Sequence, residues 1–195
     1  MNMRLKSLIL AGALVAGVFA AAPASAYEID VLTGKPLVVS GDPSRATVDP
    51  IPREEVAYNG KMGGGSIFIN TSERRLYYVL GNGKAIRYGI GVGRPGFDWA
   101  GTNRVSRKAE WPDWTPPAQM LKRRPDLPRH MKGGEDNPLG ARAMYLGSTL
   151  FRIHGSNEPE TIGQAVSSGC IRMTNEDVID LYDRVKVGAI VTVVR

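Results

Sequence analysis

Residues 66–93 read SIFINTSERRLYYVLGNGKAIRYGIGVG, and the alternation in this stretch decides the fold class. Ile67 and Ile69, then Leu76, Tyr78 and Leu80, then Ile86, Tyr88, Ile90 and Val92 recur at every second position. A period of two puts such side chains on one face of an extended chain. Thr71-Ser72-Glu73-Arg74 supplies a turn between the first two runs, and Gly81-Asn82-Gly83 is a strong hairpin signal between the next two. Gly89, Gly91, Gly93, Pro95 and Gly96 then mark a loop.

Downstream, a short strand is expected over Arg104 to Lys108. Trp111 to Pro138 is of another kind: Pro112, Pro116, Pro117, Pro125, Pro128 and Pro138 exclude a long helix or a central strand, and Gly133-Gly134 adds a turn. Its Trp111 and Trp114 favour an ordered flap or groove wall, with a short helix possible around Gln119 to Arg124. Ala143 to Ile153 reads as a strand pair turning near Gly147-Ser148. Thr174 to Val185 is the one convincing helix, with Thr174 as cap, Asp177 at the capping-box position and Val178, Ile179, Leu181, Tyr182 and Val185 on one face. Ala189 to Val194 reads as a final buried strand. Several short strands with one late helix imply a mainly β domain over 66–195, sandwich or barrel-like, with a long Pro/Gly-rich flap.

Upstream, residues 27–65 carry four prolines, Pro36, Pro43, Pro50 and Pro52, and read as an irregular linker or strap. Residues 1–26 read as a cleaved signal peptide: Arg4 and Lys6 form a basic start, Leu8 to Ala22 an apolar run, and Ala24-Ser25-Ala26 a small-residue cleavage site. The run falls short of the ~20 apolar residues of a membrane span. No second such run follows, so the mature chain is expected to be exported and to have no membrane span. Loss of Arg4 and Lys6 takes the net charge of +6 to +4. That mild excess suits work near anionic wall polymers as well as it suits plain solubility. No nucleic-acid-binding motif is present.

The chain has one cysteine, Cys170. In an exported protein a single thiol pairs with another chain, stays buried and inert, or reacts. Its surroundings favour reaction. His154 ends an expected strand, and the intervening loop, rich in Gly, Ser, Asn and Pro, can fold back to bring imidazole and thiol together; thiol nucleophiles need such a base. Gly169 permits a sharp backbone turn whose N–H groups, with that of Cys170, could hold an oxyanion. Arg172 adds charge that could favour thiolate or hold a carboxylate, although a solvated arginine fits the spacing equally well. The helix from Thr174 points its positive end toward the same loop. Other chemistries find less: no His or Cys cluster suggests a metal site, and Gly89-x-Gly91-x-Gly93 lacks the helix and acidic partner of a dinucleotide site. Glu158 and Glu160 sit in a polar loop without burial cues, and His130 reads as a loop residue.

His154-Gly155 followed by Ser167-Ser168-Gly169-Cys170-Ile171-Arg172-Met173 resembles the signature of the L,D-transpeptidase catalytic domain. Arg75-Leu76-Tyr77, Gly91-Val92-Gly93, Pro112-Asp113-Trp114-Thr115-Pro116-Pro117 and Asn137-Pro138-Leu139-Gly140-Ala141-Arg142 also look like that family, so the likeness runs from about Ser66 to Arg195. One position departs: Ser168 stands where the family usually has a second histidine. The resemblance implies Cys170 as nucleophile, His154 as general base and acid, and backbone N–H groups near Gly169 as oxyanion donors. It places Arg172, Ser168 and Gly155 in the substrate cleft. It implies acyl transfer from a peptidoglycan stem tetrapeptide through a thioester, without metal or organic cofactor. The periplasm is the expected location, because the sequence shows no surface-anchoring tail or wall-binding repeat. The acceptor stays open among a second stem peptide, an outer-membrane protein and water. Acylation by carbapenems is a further implication. A wall-binding module with a relict thiol, and a thiol oxidoreductase, are the rival classes.

Overall fold

The computed structural model describes residues 51–195; the expected leader and the N-terminal segment before residue 51 lie outside the described residues. Strand β1 (Glu54–Ala57) comes first, inside the segment expected to be irregular. Three of its four side chains are exposed, and it is held by antiparallel backbone pairing with Lys84–Arg87. No apolar alternation marks such an edge strand, which is why the sequence pattern passes over it.

The alternating stretch forms β2 (Ile67–Asn70), β3 (Arg75–Gly81), β4 (Lys84–Gly89) and the short β5 (Val92–Gly93). Gly81 (φ +94°) and Gly83 (φ +73°) take the left-handed conformations of the β3–β4 hairpin, which residues with a Cβ adopt only at a cost. The third expected strand is longer than its apolar signal: β6 runs over Gly101–Glu110 and is mostly exposed. Helix α1 (Ala118–Arg123) lies in the proline-rich segment, followed by β7 (Arg142–Leu146), β8 (Arg152–His154), β9 (Ala165–Ser167), β10 (Ile171–Arg172), helix α2 (Asn175–Arg184) and β11 (Ile190–Val194).

Nine strands pair in the order β1-β4-β3-β2-β11-β6-β7-β8-β10, while β5 and β9 form a separate parallel pair. The β2–β11 and β8–β10 pairs are parallel; the others are antiparallel. The long sheet curls back on itself. Just past β4, the strand next to edge strand β1, Gly91 exchanges two 2.9 Å backbone hydrogen bonds with Arg172 of β10, tying the far edge of the sheet back to the chain that follows β4. This is the mainly β, barrel-like arrangement expected.

Inside the curl lie Ile67, Ile69, Leu76, Tyr88, Met144, Leu146, Ile153, Val191 and Val193, covered by Val178, Leu181 and Val185 on or beside α2. Each such side chain contributes roughly 1.5–3 kcal/mol by leaving water. Thr174 caps α2 by accepting the Asp177 N–H at 3.2 Å. At the other end of α2, Lys108 of β6 donates to the carbonyls of Tyr182 and Val185. A second, smaller core of Trp114, Met120, Leu127 and Leu139 orders the proline-rich segment.

Candidate active site

Parallel pairing of β8 with β10 sets the site. Ile153 faces Ile171 and His154 faces Arg172 in the register, so the residue before β10, Cys170, comes alongside Arg152 at the start of β8, two residues before His154. His154 and Cys170 line one cavity of about 450 Å³ together with Trp99, Trp114, Leu150, Phe151, Arg152 and Ser168. The fifteen residues between them, 155–169, include the turn at Pro159–Thr161 and β9.

His154 is buried, and its Nδ1 lies 2.6 Å from the Gly155 carbonyl oxygen. A carbonyl only accepts, so Nδ1 carries the hydrogen and the lone pair of the neutral ring sits on Nε2. Burial, first, and the Arg172 charge, second, push the imidazole down to about 3, against the opposing pull of the Gly155 bond. The ring is therefore neutral at neutral pH and able to accept a proton. The Cys170 thiol is part-exposed and directed at the Leu150 carbonyl, Sγ to O 3.8 Å.

The turn carrying the thiol is tied at several points. Ser167 Oγ accepts the Gly169 N–H at 3.1 Å and donates to the Cys170 carbonyl at 2.6 Å. Gly169 has φ +105°, and a Cβ there would stand 2.7 Å from Phe151 and 3.1 Å from the Phe97 carbonyl. Only glycine fits that conformation in that space. The Gly169 carbonyl accepts the Trp99 indole N–H at 2.8 Å, and Trp99 stacks on Phe151 with centroids 4.5 Å apart.

Several sequence expectations are relocated. The Gly169 N–H is already engaged by Ser167, whereas the Cys170 N–H has no hydrogen-bond partner among the described residues, which makes it the donor available to an oxyanion. Arg172 does not line the cavity. It is 1% exposed, donating from Nη1 to Glu158 Oε2 at 2.8 Å and to Thr161 Oγ1 at 3.2 Å. Glu158, expected in an open polar loop, is its buried counter-charge. Gly155 serves the histidine and the packing: a Cβ there would stand 2.3 Å from Asn175 Oδ1. Ser168 does line the cavity, with its Oγ accepting from Arg94 Nη1 at 3.1 Å. His130 stays apart, beside Asp113 at 3.2 Å. Sequence reasoning missed Trp99 and Arg152 as cavity residues, and no spacing or motif marks either. Among the described residues no group of three His, Cys, Asp or Glu side chains could hold a metal ion.

The barrel-like sheet, with Cys170 and His154 set on one cavity by the parallel β8–β10 pair, defines an L,D-transpeptidase fold. Residues 64–193 match the model of the YkuD family, the L,D-transpeptidase catalytic domain, and the chain belongs to that family. It is 39% identical over 155 residues to the probable L,D-transpeptidase YbiS of Escherichia coli, covering 75% of this chain and 49% of that protein. The chain thus spans about half the length of the curated relatives it matches. A solved Brucella melitensis protein, described as a probable carnitine operon oxidoreductase, is 44% identical, with a TM-score of 0.51, covering 73% of this chain and 93% of that one. L,D-transpeptidase 3 from Mycobacterium tuberculosis, solved with a faropenem-derived adduct, shares the fold at a TM-score of 0.52 and 17% identity, covering 67% of this chain and 60% of that one.

Proposed function

We propose that this protein is a peptidoglycan L,D-transpeptidase that works through a thioester on Cys170. The observation that carries the reading is the pairing of a part-exposed thiol with a buried, neutral imidazole on one cavity, the imidazole fixed through Nδ1. Cys170 Sγ attacks the carbonyl of the third residue of a stem tetrapeptide while its proton passes to His154 Nε2. The Cys170 N–H stabilises the oxyanion. The C–N bond breaks, the terminal D-Ala leaves with the proton from His154, and the acyl group stays on sulfur. An acceptor amine then gives its proton to His154 and takes the acyl group, forming a 3→3 cross-link or attaching an outer-membrane protein. With water as acceptor the same site is a carboxypeptidase. The leader expected over residues 1–26 supports a periplasmic site for the reaction. A thiol oxidoreductase role would want a resolving cysteine, and the chain has one cysteine in all.

Mass spectrometry of the intact protein with a disaccharide-tetrapeptide tests this. The expected result is a stem-acyl adduct with D-Ala release in the wild type and neither in Cys170→Ala. No adduct, no D-Ala and no carbapenem adduct would leave a wall-binding module as the better account.

A further inference from the structure

The cavity wall carries two cations that this reaction has not used, Arg123, which is exposed and lies over the Phe97 ring, and the half-buried Arg152. Arg152 stands on β8 two residues before His154, so strand alternation puts both side chains on one face, and both line the cavity. Because Ile153 is the register partner of Ile171, Arg152 is the β8 neighbour of Cys170. Its guanidinium carbon lies 5.3 Å from the centroid of the Tyr145 ring. Among the described residues no carboxylate forms an ion pair with it, and its Nε is buried without a hydrogen-bond partner. The acidic side chain on the cavity wall, Asp98, is engaged elsewhere, 3.0 Å from Arg195. A half-buried guanidinium without a counter-charge beside a reactive thiol is built to receive an anion, and its planar fork matches a carboxylate.

Resting on the reaction proposed above, we infer that Arg152 binds the free carboxylate of the residue that leaves. That carboxylate lies one carbon beyond the scissile nitrogen, so it falls next to the thiol, where Arg152 stands. Arg152 is then a specificity-determining residue. It favours donors that end immediately after the scissile bond over donors whose terminal carboxylate is amidated or extended by another residue.

The competing role for Arg152 is electrostatic, since its charge also opposes protonation of His154. That role acts on every donor alike, and this separates the two. The experiment measures kcat/KM for release of the terminal residue from a tetrapeptide donor and from the same donor as its C-terminal carboxamide. Wild type, Arg152→Gln and Arg152→Lys are compared, with alkylation of Cys170 by iodoacetamide and thermal melting reporting an intact site. Arg152→Gln is expected to lose about 10- to 100-fold on the carboxylate donor, the worth of a hydrogen bond to a charged group. It should leave the carboxamide donor nearly unchanged, and Arg152→Lys should recover part of the loss. Equal losses on both donors, or no loss on either, overturn the assignment while the transpeptidase reading stands. If the wild type alkylates at Cys170 yet acylates with neither donor, the transpeptidase reading fails and the Arg152 assignment falls with it.

Discussion

At His154 one hydrogen bond and one environment divide the labour. The Gly155 carbonyl fixes the tautomer, and burial with the nearby Arg172 charge keeps the ring neutral. The unfolded ring titrates near ~6.5, whereas the folded ring holds to about 3. Between those values the unfolded chain binds the extra proton, so His154's contribution to stability is complete above the unfolded value and is lost as pH falls toward the folded one. Thermal melting across pH 7 to 4 should therefore show a decline in the wild type that is shallower in His154→Gln; parallel curves would contradict it. The candidacy of Cys170 and His154 was legible because the chain offers one thiol and a histidine at the end of an apolar strand. The burial of Glu158 was not, since its partner Arg172 lies 14 positions away and only the folded loop unites them. For the same reason Arg172 looked equally like a surface charge or a ligand.

Among elements, the parallel β8–β10 pair depends on a polar clamp. The Arg172–Glu158 pair, with side chains 1% and 3% exposed, ties the turn at Pro159–Thr161 to β10 and hence to the nucleophile. Breaking one side of such a pair strands a buried charge. Glu158→Gln is expected to cost about 3–5 kcal/mol, and joint replacement of both residues by apolar ones less. Urea denaturation of the two variants checks this, and a larger loss in the double replacement would refute it. Helix α2 was readable at both ends of its pattern, from the Thr174 cap and the apolar face. The reach of β6 was not, because most of its side chains are exposed and backbone pairing with β7 and β11 sets its length.

For the molecule as a whole, closure of the sheet is the organising fact. The Gly91–Arg172 hydrogen bonds tie β10 back to the chain following β4, next to the turn that carries Cys170, so the candidate site sits on the seam. The chain before the family match contributes to this body. Ile51 packs against Gly89 and Gly163, β1 extends the sheet, and Arg53 lies 3.5 and 3.4 Å from Asp177 and Asp180 of α2. A protein beginning at Gly64 is therefore expected to melt below one beginning at Ile51, by several degrees for each kcal/mol lost; equal melting temperatures would show these contacts to be idle. The mainly β class was legible from alternation alone. Closure was not, since it rests on two backbone bonds between glycine and arginine that no side-chain pattern encodes. The Trp99 indole, hydrogen-bonded to the Gly169 carbonyl and stacked on Phe151, also gives the protein an internal optical reporter. Any shift of the turn as Cys170 changes its bonding alters the polarity around that chromophore. The protein's own tryptophan emission is then expected to follow a change at the sulfur without an added label.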